Sequence, residues 1–280
     1  MTIFPKVLLY HSVIGNKYSI KKTDYGAHSI DEFKLQMKFL KKILIFITAD
    51  EFVSKIKEKK TFKKKECLLT IDDGYRNIIC NILPVLEEWQ IPALIFINDA
   101  HIRETKWLWF NRFHALRLRG EVTLERLQDF AQLNLKETNA LLKKLGAPDA
   151  NNTSSEIERE LFDGMNENEL RQICNHPLIT IGGHTSAHLR MPNETDEVLL
   201  NDIKENKTYL EQFTGYPLQH FAYPEGFTDQ RSAGIIAASG YHYGYLAAPE
   251  TSKQLDLLRI PRTGIYRGGI VYLAAKLTRG

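Results

Sequence analysis

Short apolar runs alternate with amphipathic stretches along almost the whole chain. Runs of three to five such residues are typical of buried strands, and the stretches between them have the spacing of surface helices. This alternation is the pattern of repeated βα units around a parallel sheet, so the sequence predicts an α/β fold. The predicted strands are residues 7–10, 44–47, 67–71, 93–97, 178–181, 220–222 and 243–246.

Two helices are predicted most clearly. Ser29 has the character of an N-cap. The apolar face of the helix that follows it carries Ile30, Phe33, Met37 and Leu40. A second apolar stripe with helical spacing consists of Ile78, Ile82, Val85 and Leu86.

The alternation of predicted strands and helices is interrupted between about residues 102 and 172. This region starts with an aromatic-rich stretch, continues with helical patterns and contains a polar linker at residues 151–155. No internal repeat is visible that would indicate a second unit of the same kind. We therefore predict a helical insertion within a single domain that covers residues 1–280.

Two polar clusters stand at the ends of predicted strands, at residues 70–75 (Thr-Ile-Asp-Asp-Gly-Tyr) and 183–188 (Gly-His-Thr-Ser-Ala-His). Adjacent residues leaving a strand point in different directions, so one of Asp72 and Asp73 can bind a metal while the other acts as a base. His184 and His188 are four residues apart, which places both imidazoles on one face if the segment makes a helical turn. One carboxylate and two imidazoles form the ligand set of a hydrolytic zinc-type site.

Each cluster has a plainer explanation when it is taken alone. Asp-Asp-Gly after a strand is commonly a turn, and two histidines four residues apart are more often surface or capping residues. Polar clusters at the carboxyl ends of parallel strands, however, are where α/β proteins build their sites. The two clusters together therefore favour a metal site.

Charge and hydropathy restrict the partners of the chain. The formal net charge is +3 and the sequence pI is near 8.6, which is too weakly basic to indicate a nucleic-acid partner. Residues 55–65 contain seven lysines and one glutamate. This run is interpreted as a solvated helix end and loop, with weak contact to an anionic membrane surface as the alternative. The apolar runs are too short for a membrane-spanning helix.

The cysteines and the first six residues indicate the cellular compartment of the protein. Cys67, Cys80 and Cys174 are odd in number and widely spaced, which indicates neither a disulfide framework nor a thiolate metal site. Residues 1–6 lack the basic segment and apolar core of a secretory signal. These features predict a protein in the reducing cytoplasm.

The clusters resemble the motifs of a known family. Residues 70–74 resemble the first motif of the polysaccharide deacetylases of carbohydrate esterase family four, the NodB homology family, with isoleucine in place of the usual phenylalanine. Residues 184–188 resemble its second motif, and residues 221–226 (Phe-Ala-Tyr-Pro-Glu-Gly) resemble the third motif of one branch. Softer similarities extend the resemblance over essentially the whole chain, at residues 9–13, 83–86, 91–93 and 258–262.

The resemblance implies a distorted (β/α)7-type barrel with a divalent metal, most often zinc, with cobalt or nickel as alternatives. It implies that Asp73, His184 and His188 hold the metal and that Asp72 is the general base. A backbone N–H near Tyr223 would share the developing oxyanion with the metal.

The chain departs from the family pattern in two places. Residues 221–224 lack the arginine that commonly orients the base, and Arg262 either takes that role or forms a surface or barrel-end salt bridge. The family's C-terminal histidine, a general acid, has no equivalent after His242. His11 is our first candidate for protonating the leaving nitrogen, with substrate binding or simple packing as the alternatives. His242 is a weaker candidate, because it precedes a strand.

Other polar and aromatic side chains have two interpretations each. Trp107, Trp109 and Phe110 form either a platform or lid for a sugar ring or part of the core. Glu225 either contacts a substrate amine or hydroxyl or is a solvated turn residue.

The sequence therefore predicts a metal-dependent hydrolase that removes an N-acetyl, or alternatively a formyl, group from an amino sugar. A cytoplasmic location favours a glycan precursor that is oligomeric, lipid-linked or nucleotide-linked. One alternative is a non-catalytic glycan-binding protein on the same fold. Another is a metal hydrolase of cyclic amides or peptides, although the His-Glu-x-x-His pattern of zinc peptidases is missing.

Overall fold

A curled sheet of parallel strands forms the centre of the computed structural model, which describes residues 6–18, 26–58, 60, 62–63, 65–247, 256–266 and 269–279. Its order is β10-β1-β5-β6-β7-β8-β9, with β4 paired to β5 beside this path, while β2 and β3 form a separate pair. The strands are β1 (Lys6–Tyr10), β2 (Val13–Ile14), β3 (His28–Ser29), β4 (Ile45–Phe46), β5 (Glu66–Ile71), β6 (Ala93–Ile97), β7 (Ile179–Gly183), β8 (His220–Ala222), β9 (Tyr243–Tyr245) and β10 (Thr263–Gly264).

The seven strands along this path curl into the predicted distorted barrel. Every pairing between them is parallel, and the chain after β9 reaches both edges of the sheet. Ile260 forms a bridge with Tyr245 of β9, and Thr263 pairs with Leu8 of β1. The short segment between Ile260 and Thr263 therefore spans the gap between the two edges.

Helices pack around this sheet. The prediction that Ser29 is the N-cap of α1 is confirmed, since its side chain accepts a hydrogen bond from the Glu32 N–H. The second predicted stripe starts as a π-helical turn, Ile78–Ile82, and continues as α3. The α-helices are α1 (Ile30–Ile43), α2 (Ala49–Lys57), α3 (Leu83–Trp89), α4 (Ala100–Arg103), α5 (Trp109–Leu118), α6 (Leu135–Lys144), α7 (Glu156–Phe162), α8 (Glu167–Cys174), α9 (Asp196–Thr214), α10 (Gln230–Ala238) and α11 (Ile270–Arg279).

Both faces of the sheet are buried, which explains why its strands are continuous apolar runs. Alternate side chains point to opposite faces, and Leu69 and Ile95 pack with the surrounding helices. Leu68 and Phe96 face the inner side, where the Phe96 ring lies 5.1 Å from that of Tyr245. Because Phe96 is on β6 and Tyr245 is on β9, this contact crosses the interior of the barrel.

Helices α4 to α8 lie between β6 and β7, in the region where the sequence predicts an insertion. The assignment of residues 1–280 to one domain stays a prediction. Cys67, Cys80 and Cys174 are free thiols. Among the described helices, none has both the length and the apolar character that a bilayer crossing requires.

Candidate active site

Strand β5 delivers two neighbouring carboxylates to the carboxyl end of the sheet. Asp72 and Asp73 follow its last residue, and each is only 2% exposed. The chain turns sharply here, because Asp73 and Gly74 have φ angles of 80° and 74°. A Cβ atom on Gly74 would lie 2.9 Å from Cγ2 of Ile97, so a larger residue does not fit. This turn directs the two carboxylates to different partners.

Asp72 is held by Arg262, which lies in the segment between the sheet edges. The Nη1 and Nη2 atoms of Arg262 donate to Oδ1 and Oδ2 of Asp72, each at 2.7 Å. Arg262 is 1% exposed, and its Nε donates to the carbonyl oxygen of Leu246 at 2.6 Å. The salt bridge is therefore buried rather than on the surface, and the guanidinium fixes both oxygens of Asp72.

This pairing sets the charge of Asp72. Burial raises the pKa of the carboxyl, but the Arg262 guanidinium and the nearby His184 lower it by more, so the pKa lies below its usual range. Asp72 is consequently a carboxylate at neutral pH and can accept a proton.

The structure brings Asp73, His184 and His188 together. One ligand atom from each lies within 4.8 Å of the others, and all three side chains are buried. Asp73 Oδ1 is 3.4 Å from His184 Nε2 and 3.7 Å from His188 Nε2. The two imidazole rings are nearly perpendicular, with an interplanar angle of 83°. This arrangement fits a small cation between them.

The helical turn that would have placed the two imidazoles on one face does not form. Residues 184–188 form a loop in which Thr185 and His188 have φ angles of 56° and 54°. The left-handed conformation at these two positions, rather than helical spacing, brings the imidazoles to one side.

Side chains from other elements hold this loop. Asp202 on α9 accepts hydrogen bonds from the N–H groups of Ser186 (2.6 Å) and Ala187 (3.1 Å). Asn98, directly after β6, donates to the carbonyl oxygen of Thr185 at 2.8 Å. Neither Asp202 nor Asn98 was found from the sequence, because a single polar residue in a helix or after a strand gives no distinctive pattern.

The imidazoles are oriented for metal binding. His184 Nδ1 lies 2.7 Å from the carbonyl oxygen of Ala222, which places the proton on Nδ1 and leaves Nε2 toward Asp73. The carbonyl oxygen of His188 accepts from Trp109 Nε1 at 3.0 Å, and the Phe110 ring lies 4.2 Å from the His188 ring. Two imidazoles and a carboxylate are a common ligand set for a catalytic divalent metal.

The electrostatics of the three residues fit a cation as well. Asp73 Oδ1 is buried without a hydrogen-bond partner among the described residues. Burial raises the pKa of Asp73, but the neighbouring histidines lower it by more. Burial and the charge of His184 lower the pKa of His188 to about 3, so His188 is neutral at pH 7. Burial lowers the pKa of His184, but Asp73 and Asp72 raise it above its usual value.

A cavity of about 190 Å³ opens beside these residues. Its wall includes Asp72, Asp73, His11, Trp109 and Glu225. His11 is half-buried, and its ring stacks with that of Tyr266 at a centroid distance of 6.1 Å. The cavity therefore exposes a paired carboxylate, the three candidate ligands and a further imidazole to one small space.

Comparison with known proteins agrees with this geometry. The protein-family model for polysaccharide deacetylase matches residues 59–244. The chain belongs to the polysaccharide deacetylase family. The four site residues that come from motifs one and two lie in this stretch, whereas His11 and Arg262 lie outside it.

Curated relatives of this chain include two enzymes named poly-β-1,6-N-acetyl-D-glucosamine N-deacetylase. The one from Staphylococcus epidermidis is 26% identical over 235 residues, which cover 82% of this chain and 65% of the relative. The one from Staphylococcus aureus strain N315 is 22% identical over 218 residues, which cover 78% of this chain and 60% of the relative. The chain thus spans less than two thirds of the length of these relatives.

Solved structures show the same fold. The Streptococcus pyogenes deacetylase PplD, in complex with acetate, has a TM-score of 0.65 at 16% identity, with 99% of both chains covered. IcaB from Ammonifex degensii has a TM-score of 0.65 at 17% identity, with 97% of this chain and 94% of that chain covered. The fold of this chain is therefore the distorted barrel that the resemblance of its motifs implied.

The other residues that the sequence suggested for the site do not all line the cavity. The Tyr223 N–H donates to the Tyr245 carbonyl oxygen, and its hydroxyl donates to the Leu258 carbonyl oxygen, so neither donor is free for an oxyanion. His242 is exposed and does not line the site cavity. Trp107 packs against Phe162, away from that cavity.

Proposed function

We propose that this chain is a metal-dependent N-deacetylase that removes the acetyl group from an N-acetylated amino sugar in a glycan. The observation that carries the proposal is the buried Asp72–Arg262 pair beside the cluster of Asp73, His184 and His188. A paired carboxylate next to a divalent site supplies a base that is not tied up on the metal. The names of the staphylococcal relatives favour an N-acetylglucosamine unit as the substrate.

In this proposal Asp73, His184 and His188 hold the metal, most often zinc in such a ligand set, with cobalt and nickel as alternatives. The metal would polarise the acyl carbonyl and make water more acidic at neutral pH. Asp72 accepts the proton of the water that attacks the carbonyl carbon. Arg262 keeps Asp72 ionised and fixes its orientation.

The leaving nitrogen needs a proton before the C–N bond breaks, since an amide anion is a very poor leaving group. We assign this proton to the imidazole of His11, which lines the same cavity as Asp72. Acetate and a free amine are then released. Tyr223 has no part in this proposal, because both of its donors are engaged within the barrel.

The third motif bears on the branch of the family to which the chain belongs. The third motif at residues 221–226 lacks an arginine, and Arg262 supplies the guanidinium from a distant part of the chain. We infer that this chain belongs to the branch with a Phe-Ala-Tyr-Pro-x-Gly third motif. The cytoplasmic location and the weak membrane-surface contact of the lysine-rich run stay predictions from the sequence.

Acetate release from β-1,6-linked N-acetylglucosamine oligomers tests the proposal. The zinc-loaded protein should release acetate from these oligomers and leave a panel of acetylated peptides intact. Cleavage of the peptides alone would favour a different metal hydrolase. Tight binding of the oligomers without any acetate release would favour a glycan-binding protein on this fold.

A further inference from the structure

Asn206 lies inside helix α9 and faces the end of the sheet where the three candidate metal ligands meet. Its side chain is fully buried, and it is not among the described residues that line the site cavity. We propose that Asn206 is a positioning residue for the metal centre, because its amide fixes the backbone of the ligand His184. The inference rests on the proposed metal-dependent function and adds to it a residue that acts only through another.

The Asn206 amide bridges two neighbouring strands at the point where they end. Ile97 and Gly183 are the last register pair of β6 and β7. Asn206 Nδ2 donates to the carbonyl oxygen of Ile97 at 2.9 Å, and Asn206 Oδ1 accepts from the N–H of His184 at 3.3 Å. One side chain therefore fixes the first residue after β7 relative to the end of β6.

The position requires a donor at one end of the side chain and an acceptor at the other. Asn206 Nδ2 also donates to Asp99 Oδ1 at 2.7 Å, so this end faces two acceptors. The other end faces the N–H of His184, which can only donate. An apolar side chain of the same size would leave all three groups without these partners in a buried place. The chemistry of asparagine, and not only its volume, is thus used here.

Asp99 gives the amide a fixed anchor. Its side chain is fully buried, and Arg103 Nε lies 2.5 Å from its Oδ2. Arg103 Nη2 also donates to the hydroxyl of Ser186, inside the loop that carries the two histidines, at 3.0 Å. Hydrogen bonds to a charged acceptor are stronger than those between neutral groups. The amide is therefore held by a carboxylate that is itself held.

Gly183 leaves room for this contact. A Cβ atom at residue 183 would lie 2.8 Å from Asn206 Oδ1 and would also meet the hydroxyl of Tyr241. A side chain here would push the amide away from the His184 N–H. The glycine directly before His184 therefore has a physical reason that the sequence alone does not show.

His184 is restrained at three points, and Asn206 supplies the one that comes from α9. The carbonyl oxygen of His184 accepts from Asn98 Nδ2, and its ring Nδ1 contacts the carbonyl oxygen of Ala222 at 2.7 Å. The ligand atom Nε2 lies at the far side of the ring, so a small rotation of the backbone displaces it. Residues that orient a metal ligand in this way commonly change the metal affinity when they are replaced.

The test measures the zinc affinity of the full chain by competition with a chromogenic chelator. Asn206→Leu keeps the approximate size of the side chain but removes its donor and acceptor, and it should weaken zinc binding by about tenfold to a hundredfold. Asn206→Ser keeps one hydroxyl, which is too short to reach both strands, so its affinity should lie between those of Asn206→Leu and the wild type. This second variant serves if Asn206→Leu does not fold.

Leu210→Ala is the matched control, because Leu210 is fully buried one turn further along α9. Removing this core side chain should lower the urea midpoint of unfolding. The folded variant should still bind zinc as the wild type does. The visible absorption spectrum of the cobalt-loaded chain gives a second measurement, since it depends on the geometry of the ligands. It should change in the Asn206 variants and stay the same in Leu210→Ala.

The outcomes separate this inference from the proposed function. Wild-type zinc affinity and an unchanged cobalt spectrum in the folded Asn206 variants would overturn the inference and leave the N-deacetylase function standing. An equal loss of zinc affinity in Leu210→Ala would also overturn it, because the loss would then follow stability and not position. A wild-type chain that takes up neither zinc nor cobalt would instead remove the function on which the inference rests.

Discussion

Arg262 and Asp72 form a buried bidentate ion pair although they are 190 positions apart in the sequence. Arg262 reaches the inside of the barrel because it lies between Ile260 and Thr263, which contact opposite edges of the sheet. The chain that closes the barrel therefore also supplies the partner of the proposed base. The third motif has no arginine, but Arg262 places a guanidinium on Asp72 from a distant part of the chain.

Replacement of Arg262 should move the pH dependence of the reaction. Arg262→Met removes the charge that lowers the pKa of Asp72, so the acid limb of the kcat/KM profile should shift to higher pH. Arg262→Lys keeps a charge but not the two parallel hydrogen bonds, and turnover should still fall by about a hundredfold. If the acid limb does not move in Arg262→Met, Arg262 does not set the pKa of the catalytic base.

The same pair should affect stability. The pKa of Asp72 is lower in the folded chain than in the unfolded chain, so its contribution is present at neutral pH and lost as pH falls through the folded pKa. Arg262→Met leaves a buried charge without its partner and should lower the free energy of unfolding by roughly 3–5 kcal/mol at pH 7. Urea titration measures this change. Arg231→Met, which breaks an exposed pair with Asp196, should cost at most about 1 kcal/mol.

Metal binding should release a proton from His184. The pKa of His184 is raised by the two carboxylates, so this imidazole is protonated in the metal-free chain at mildly acidic pH, and a metal must displace the proton. Zinc affinity should therefore rise with pH until the His184 pKa is passed. Calorimetric titrations in buffers with different ionisation enthalpies should show up to about one proton released per ion. An affinity that does not change with pH would exclude this competition.

His11→Gln should lower turnover without removing the metal. His11 lines the cavity but is not among the three candidate ligands, so elemental analysis should find the same metal content in the variant. The rate should fall by about a hundredfold or more on a glycan amide and by much less on 4-nitroacetanilide, whose leaving group needs less protonation. Equal losses on the two substrates would point to substrate binding instead.

Asp202→Asn tests the support of the histidine loop. An amide has one acceptor oxygen, whereas the Asp202 carboxylate holds the N–H groups of Ser186 and Ala187 with its two oxygens. The loop should loosen and the zinc affinity should fall between about tenfold and a hundredfold. A competition assay with a chromogenic chelator measures the change. Lys204→Ala, on an exposed face of the same helix, is the control and should bind zinc as the wild type does.

Much of the fold was predictable, because a sheet that is buried on both faces requires apolar strands. The predicted run at 93–97 and the run at 220–222 coincide with β6 and β8. The run at 44–47 was longer than the observed strand, since only Ile45 and Phe46 pair with β5. Short edge strands carry few ladder contacts, so their limits depend on the tertiary structure more than on local sequence.

The site was predictable where its residues are adjacent in sequence and not where they are distant. The grouping of Asp73 with His184 and His188 follows from where parallel strands end. The backbone path of residues 184–188 depends on Asp202 and Asn98, which no local pattern connects to that loop. The position of Arg262 depends on how the barrel closes, which is a property of the whole sheet.

The most direct test of the proposed function measures metal content and acetate release on the same samples of wild type, Asp72→Asn and a His184→Ala/His188→Ala double variant. The wild type should hold about one divalent ion per chain and release acetate from the β-1,6-linked N-acetylglucosamine pentamer. Asp72→Asn should keep the ion and release none, and the double variant should lose both. A wild type that takes up no zinc, cobalt or nickel, or an Asp72→Asn variant with full turnover, would contradict the account.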